Sequence, residues 1–414
     1  MKHRFPSMVR ALGYRNYALF FSGQGLSIIG TWMQQLAMTW LVYRLTNSTT
    51  LLGVISFASM APFFLFSPLA GVFADRHDRY RIIVLTNVLA MLQAFLAAFL
   101  TLAGLITVGQ IFALSAFLGT LNSFEMPARH SLVIDIVERR EDLSNAIALN
   151  SFMFNGGRLI GPSIAGVFIG LFGEGVVFAI NGASFVFVIL ALLAMDIRKR
   201  PRAADKVRIL KGLAEGYGYA YRTKPIRSVL VQLGVISFLS MPYIVLMPYY
   251  ARDLLHGGPD TLGALMAASG LGAVLGTVYL ASRSSLKGLG PVISIASLIS
   301  GAGLIAFAFS SLLSLSLALL LVVGFGLIVQ MASCNTILQT LVREDMRGRV
   351  MSLFSMAFIG VAPFGSLAGG FLSGSIGPQA TLAACGAAAI AQALFFATRA
   401  PVVEDALREL KGPR

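Results

Sequence analysis

The sequence is poor in charge, cysteine and histidine, and each shortage argues against a class of protein. Only 12% of the 414 residues are charged, against about 25% in an average soluble domain, so a water-soluble globular protein is not expected. The two cysteines, Cys334 and Cys385, lie in apolar segments and predict neither a disulfide framework nor a metal site. The four histidines show no metal-ligand spacing. No G-x-x-x-x-G-K-[ST] sequence occurs, so direct use of ATP by this chain is not predicted.

Apolar residues make up 57% of the chain and are concentrated in long blocks. Blocks of roughly 20 residues are long enough for a helix to span a bilayer. The sequence therefore predicts an all-α polytopic membrane protein. Twelve spans are predicted, at about 17–43, 50–74, 82–103, 108–135, 143–170, 175–195, 228–251, 261–282, 288–309, 312–340, 349–373 and 378–397.

The 32 lysines and arginines are distributed unevenly between the two sides of these spans. Of these, 28 fall at the two termini or in alternate connections, namely 75–81, 138–142, 196–227, 283–287 and 343–349. Because basic residues accumulate on the cytoplasmic side, both termini are predicted to be cytoplasmic, in a multi-pass protein of the cell membrane, the inner membrane in a Gram-negative bacterium. This bias and attraction to membrane lipids explain the net charge of +14, and no nucleic-acid partner is predicted.

A basic linker divides the chain into two halves. The predicted domains are a six-helix bundle at 1–195, a cytoplasmic linker at 196–227, and a second six-helix bundle with a short tail at 228–414. The linker contains ten lysines or arginines and three acids. An apolar stripe recurs within it at helical spacing, which predicts an amphipathic helix on the cytoplasmic membrane surface. The stripe consists of Val207, Leu210, Ala214, Tyr217 and Tyr221. A solvated linker is the alternative.

The two halves show weak internal repetition. An offset of 204 residues aligns the fifth predicted span with the eleventh, so that Gly161 matches Gly365 and Gly166 matches Gly370. Such repetition is typical of parallel repeats related by an axis along the membrane normal. It predicts that the two bundles are structurally related.

The most informative short segment is a charged turn between the second and third spans. It reads Gly-Val-Phe-Ala-Asp-Arg-His-Asp-Arg-Tyr-Arg from position 71 to 81, and its ionised side chains cannot lie in hydrocarbon. Its spacing resembles motif A of the major facilitator superfamily, a large family of secondary transporters, at Gly71, Asp75, Arg76 and Arg79. The resemblance implies twelve helices in two halves. It also implies a gating contact between Asp75 and the start of the eleventh helix, near Arg347.

The fifth span contains glycines four residues apart, which allow close contact between helix backbones. The residues concerned are Gly157, Gly161, Pro162 and Gly166. They resemble motif C of the antiporter members of the same superfamily, and plain tight packing is the alternative. Further runs, at 27–34, 127–129 and 155–158, are similar to the branch that holds the enterobactin exporter and its drug-efflux relatives.

Three charged residues are predicted to lie well inside apolar spans. Glu125 and Arg129 are on the fourth span, and Arg158 is on the fifth. A charge inside a membrane is costly and by default indicates a functional site. At 1.5 Å per residue, Glu125 and Arg158 differ in depth by roughly 6 Å, which predicts that they form a pair. All three are therefore candidates for proton coupling, and a static pair that fixes helix register is the alternative.

Uncharged polar residues also occur within the spans, and most of them suit hydrogen bonds between helices. A few are predicted to face a central substrate cavity. The candidates are Gln34, Asn122, Asn155, Gln232, Tyr243 and Asn335.

Together these features predict a secondary active transporter that works by alternating access. The resemblance implies export of a small amphipathic molecule, a siderophore or a drug-like compound, in exchange for protons. The protein is expected to act as a monomer among membrane lipids, without cofactor or metal. Two alternatives remain open: a lipid or lysophospholipid flippase, and a membrane enzyme or sensor with the transporter fold. No nucleophile, base and orienting residue occur at recognisable spacing, so catalysis is not predicted.

Overall fold

The computed structural model describes residues 7–137, 139–196, 209–283, 285 and 287–409, without the side chains of residues 7, 8, 67, 68, 71, 72, 74–76, 140 and 209–213. Every secondary-structure element in these ranges is a helix. After a 3-10 segment at Ser7–Gly13, the first half forms α1 (Arg15–Thr46), α2 (Thr49–Arg76), α3 (Arg79–Leu102), α4 (Val108–Ile136), α5 (Leu143–Phe172) and α6 (Glu174–Leu193).

The rest of the described chain contains the linker helix and the second half. These helices are α7 (Ile209–Arg222), α8 (Lys224–Tyr249), α9 (Pro259–Ala281), α10 (Leu289–Ala308), α11 (Leu313–Leu341), α12 (Arg347–Ser355), α13 (Ala362–Ile376), α14 (Pro378–Ala397) and α15 (Ala400–Glu409). A π-helical segment, Met356–Gly360, joins α12 to α13. The eleventh predicted span is therefore one helical run with an altered turn.

Local sequence signals set the ends of several helices. Asp78 caps α3 by accepting a hydrogen bond from a backbone N–H of its first turn. Thr107 and Gln110 form a capping box at the start of α4. Gly173 and Gly377 have φ of +79° and +87°, which favours glycine and allows the sharp turns after α5 and α13. These two glycines are themselves 204 residues apart.

Each of the twelve predicted spans coincides with one of these helices, or with the run from α12 to α13, and extends at most two residues beyond it. Within the described residues, ten helical segments are long and apolar enough to cross a membrane. The two that fall short are α1, which holds three glutamines, and α4, which holds Asn122, Glu125 and Arg129. The prediction of an all-α polytopic membrane protein is confirmed.

Packing divides the helices into two compact units whose limits differ from the predicted halves at two segments. The first unit contains α1 to Leu45, α2 from Ala58, α3 to α6, and Gly258–Gly263. The second contains Thr46–Phe57 and the remaining helices from α7 onward. The start of α2 thus packs with helices of the second half, and the start of α9 packs with helices of the first.

The linker helix α7 packs on the start of α12 within the second unit. Glu215 forms an ion pair with Arg349 at 2.8 Å. Tyr217 and Tyr221, both from the predicted apolar stripe, are exposed and stack with ring centroids 6.2 Å apart. Val207, from the same stripe, lies outside the described residues. The position of this helix on the membrane surface stays a prediction.

Candidate functional site

The fourth helix carries an ion pair at a depth that the sequence places within the membrane. Glu125 Oε1 lies 3.5 Å from Arg129 Nε, and the two side chains are 15% and 13% exposed. At this distance and in this orientation the contact is not a hydrogen bond, and Arg129 Nε has no hydrogen-bond partner in the described structure. Pro127 lies between the two residues within α4. The carboxylate is therefore compensated by a loosely held guanidinium one turn further along the helix.

Arg158 lies near the middle of α5 and does not form the predicted pair with Glu125. Its guanidinium carbon is 6.0 Å from the ring centroid of Trp32 on α1. Glu125 pairs with Arg129 on its own helix because side chains at i and i+4 are neighbours on the helix surface. That contact requires no reach between helices. The prediction of a Glu125–Arg158 pair is corrected accordingly.

Gln34 was expected to face a cavity, but it lies in a buried chain of hydrogen bonds that we call the first relay. Asn181 Nδ2 of α6 donates to Gln34 Oε1 at 2.7 Å, and Gln34 Nε2 donates to Gln93 Oε1 of α3 at 3.0 Å. Gln34 is 2% exposed, and both ends of its amide are occupied. The first relay therefore joins α1, α3 and α6. The buried amide of Gln34 is engaged in contacts between helices and does not face a cavity.

The second unit contains an equivalent chain, the second relay. Gln392 Nε2 of α14 donates to Gln232 Oε1 of α8 at 3.0 Å, and Gln232 Nε2 donates to Ser297 Oγ of α10 at 2.9 Å. Ser297 donates onward to Gln330 of α11. The first, third and sixth long helices of each half are thus joined in the same order. Ser297 corresponds to Gln93 at the offset of 204 residues.

The other predicted cavity residues divide into buried and exposed groups. Gln232 is buried in the second relay, and Tyr243 is 1% exposed with its hydroxyl hydrogen-bonded at 2.9 Å within the second unit. Neither offers a polar group to a cargo. Asn122 is exposed, and Asn155 and Asn335 are partly exposed. These three asparagines remain candidates.

Among the motif A residues, Arg79 is the one whose side-chain contacts the structure describes. Its Nη1 lies 3.0 Å from Asp135 Oδ2, which ties the start of α3 to the end of α4. The contacts of the other motif positions fall outside the description, namely Gly71, Asp75 and Arg76. Arg347 is exposed at the start of α12, and the gating contact between it and Asp75 stays a prediction.

The glycines of the fifth helix lie at two close helix crossings. A Cβ added to Gly157 or Gly161 would lie 2.5 or 2.6 Å from side-chain atoms of α1. A Cβ added to Gly166 would lie 2.6 Å from Pro259 O at the start of α9. Pro162 lies between these crossings within α5. Any side chain at the three glycine positions would therefore force atoms of the neighbouring helix to move.

The second unit repeats both crossings at the offset of 204 residues. A Cβ on Gly365 would clash with Phe238 O of α8, just as one on Gly161 would clash with α1. A Cβ on Gly370 would lie 2.7 Å from Gly53 Cα of α2. The repetition predicted from the sequence is thus visible in the helix packing.

Two further polar contacts join helix ends and were not predicted. Arg44 donates to Glu174 at 2.7 and 3.2 Å, which joins the end of α1 to the start of α6. Glu404 of α15 accepts from the backbone N–H groups of Gly288 and Gly290, each at 2.9 Å, so the C-terminal helix caps α10. These acids lie outside the apolar blocks, where hydropathy gives no signal. The relays gave no signal through the repeat either, because none of their amides aligns with another amide at the offset of 204 residues.

Long apolar helices in two packed units, with charged side chains on α4 and α5, define a polytopic helical membrane protein. The profile of the transmembrane secretion effector family matches residues 11–411. The chain therefore belongs to this family of the major facilitator superfamily, and it is a transporter rather than an enzyme.

Relatives of known name agree with this assignment, and solved transporter structures share the fold. The chain is 25% identical to the staphyloferrin A transporter of Staphylococcus aureus, over 84% of this chain and 87% of that one. It is also 25% identical to the multidrug efflux pump Tap of Mycolicibacterium fortuitum, over 88% of each chain. A POT family transporter bound to a thioalcohol-conjugated peptide matches with a TM-score of 0.74 at 12% identity, over 94% of this chain and 96% of that one. A bacterial homologue of the iron transporter ferroportin matches with a TM-score of 0.69 at 16% identity, over 94% and 98%.

Proposed function

We propose that this protein is a secondary active exporter of small amphipathic molecules, siderophores or drug-like compounds, driven by proton antiport. The observation that carries the proposal is the Glu125–Arg129 pair, which places a carboxylate at membrane depth. The cargo class is supported by the relatives, one named a staphyloferrin A transporter and another a multidrug efflux pump. The exporter acts as a monomer in the cell membrane.

The geometry of the pair explains how a proton would be coupled to movement. Protonation of Glu125 removes the attraction that holds Arg129, and the 3.5 Å contact has no hydrogen bond to break. Arg129 then carries a charge that needs another partner. Pro127, which lies between the two residues, has no N–H to donate to the carbonyl of Ser123, so α4 bends easily at this point. Binding of a proton to Glu125 would thus favour a conformation in which α4 is bent differently at Pro127.

Transport proceeds by alternating access. Support comes from the two glycine crossings, Gly53 with Gly370 and Gly166 with Gly263, where backbones meet without interlocking side chains. Each of these glycines lies within six residues of a helix end on the side proposed to be non-cytoplasmic. Contacts of this kind separate and re-form without repacking of large side chains. They are suited to closing that side of the transporter in one state.

The cytoplasmic side is closed in the other state by Asp75 and the start of α12 at Arg347, because a helix N-terminus favours a negative charge. The distribution of basic residues supports a cytoplasmic position for this turn, the linker and both termini. In a background without the two native cysteines, single cysteines at Ala204 and Gly258 should be labelled from opposite sides. Labelling of both from outside the cell would contradict this topology.

Glu125→Gln tests the proton coupling. In proteoliposomes with an acidic lumen, we expect the variant to lose at least tenfold in pH-driven uptake of calcein or ethidium, whichever the unmodified protein carries. Equilibrium binding of the same dye should be retained, because glutamine mimics the protonated acid. The matched control is Glu141→Gln, an exposed acid just before α5, which should transport normally. Full pH-driven uptake by Glu125→Gln would remove Glu125 from the coupling mechanism.

A further inference from the structure

Arg158 is a cation in the middle of a transmembrane helix. It is the sixteenth of the 30 residues of α5, so it lies about 22 Å from the first residue and about 21 Å from the last. At this position the side chain cannot reach the membrane surface from either end of the helix. An arginine here therefore faces protein or a water-filled space rather than lipid. Its side chain is partly exposed in the first unit. The exposed part of Arg158 is therefore open to such a space.

The guanidinium has no acidic partner in the described chain. The acid nearest in predicted depth, Glu125, is engaged with Arg129. The positive charge of Arg158 is compensated by the face of Trp32, whose ring centroid lies 6.0 Å from the guanidinium carbon. An aromatic face attracts a cation but leaves its N–H donors without acceptors. The five N–H donors of a guanidinium match a carboxylate in a bidentate geometry.

Trp32, which contacts Arg158, also contacts a second aromatic side chain. Phe154, one turn earlier on α5, is 45% exposed and meets Trp32 edge to face with centroids 5.8 Å apart. Gly157 and Gly161 hold this face of α5 directly against α1, which is why Trp32 can reach Arg158. The result is a fixed cation beside a partly exposed aromatic surface, all within one unit.

We propose that Arg158 binds a carboxylate of the cargo, while Trp32 and Phe154 contact the apolar part next to it. The inference rests on the proposed export function and narrows its substrate class to amphipathic carboxylates. A ligand without an anionic group gains only the aromatic contact. A cationic ligand is repelled by Arg158 and should bind least well.

Trp32 provides a direct reporter, because the chain has two tryptophans and the other, Trp40, is buried. In the full-length Trp40→Phe protein, emission should come from Trp32 beside Arg158. The probes are 4-phenylbutyrate, the neutral amide 4-phenylbutyramide and the cation 4-phenylbutylamine, which are closely matched in size. We expect saturable change of Trp32 emission with the carboxylate and at least tenfold weaker binding of the other two. Equal binding of the acid and the amide would overturn the proposal.

Variants of the arginine separate charge from packing. Arg158→Gln should weaken carboxylate binding at least tenfold and bring it level with the amide, whereas Arg158→Lys should retain part of the preference. The matched control is Arg227→Gln. Arg227, at the start of α8, also lies over an aromatic ring, 5.1 Å from the centroid of Tyr221, and its replacement should leave carboxylate binding unchanged. Unchanged carboxylate binding by a folded Arg158→Gln protein would also overturn the proposal.

The binding test needs neither a pH gradient nor transport. Its result can therefore contradict the role of Arg158 without contradicting the exporter assignment, and the reverse also holds. Carboxylate binding through Arg158 without pH-driven uptake would leave the inference standing and contradict proton antiport. Conversely, pH-driven uptake with no preference for carboxylates would support the exporter and overturn the role of Arg158.

Discussion

The first relay provides a sharp test of what holds the helices of each unit in place. Gln34→Leu keeps a side chain of similar size but removes both hydrogen bonds of the central amide. Asn181 Nδ2 and Gln93 Oε1 would then be left in a buried site without their partners. Each stranded polar group costs about 1–3 kcal/mol. Membrane hydrogen bonds average about 0.6 kcal/mol by double-mutant cycles, which favours the lower part of that range.

We therefore expect Gln34→Leu to lower the free energy of unfolding by about 2–4 kcal/mol. The equivalent change in the second relay, Gln232→Leu, should cost less, about 1–2 kcal/mol. After that change, Ser297 still donates to Gln330. Gln392 is partly exposed and can find another partner. The difference between the two variants tests the contacts themselves, since the substitution is the same.

The assay is reversible unfolding in mixed micelles with increasing dodecyl sulfate, followed by circular dichroism. Gln35→Leu is the control, because Gln35 is next in sequence and exposed, and it should change the stability by less than about 0.5 kcal/mol. Replacing Gln34, Gln93 and Asn181 together by leucine should recover much of the loss, since no group is then stranded. Equal losses for Gln34→Leu and Gln35→Leu would refute the reasoning.

Two other predictions follow from close contacts between helices. Gly370→Ala, which would force a Cβ to 2.7 Å from Gly53 Cα, should reduce uptake by reconstituted protein severalfold. Gly156→Ala, where a Cβ meets nothing within 4 Å, should not, and equal uptake by both variants would contradict the crossing. Arg44→Ala leaves the carboxylate of Glu174, whose side chain is 7% exposed, without its partner. In the same assay it should lower the free energy of unfolding by about 1–3 kcal/mol. This is less than the usual loss of about 3–5 kcal/mol for a buried pair, because Arg44 is half exposed. Glu174→Gln should cost less, and the opposite order would disprove the pairing.

The architecture could be predicted because it depends on features that occur in sequence order. Membrane spans require long apolar blocks, and these set twelve helices close to their observed ends. The two polar helices, α1 and α4, were recognised by block length and position although their hydropathy is lower. The composition of the packed units could not be predicted, because Thr46–Phe57 and Gly258–Gly263 leave their own halves through contacts between distant residues.

Individual site residues were harder to predict, because polarity does not show which group a side chain meets. Gln34 and Gln232 look like cavity residues by type and depth, but each is occupied by amides or hydroxyls from two other helices. Helix depth alone predicts the Glu125–Arg158 pair. Depth ignores rotation about the helix axis, and the i+4 position of Arg129 gave the nearer partner.

The repeat itself shows where function is concentrated. The offset of 204 residues holds at Gln93 before α4 and at Gly161 after it. It therefore also assigns counterparts to the charged residues between these two positions. The counterparts of Glu125, Arg129 and Arg158 are all neutral: Val329, Ser333 and Ala362. Relays and glycine crossings occur in both units, whereas these membrane-depth charges occur in the first alone within the described chain. Structural support is therefore duplicated, and proton coupling and carboxylate recognition are expected to depend on the first unit.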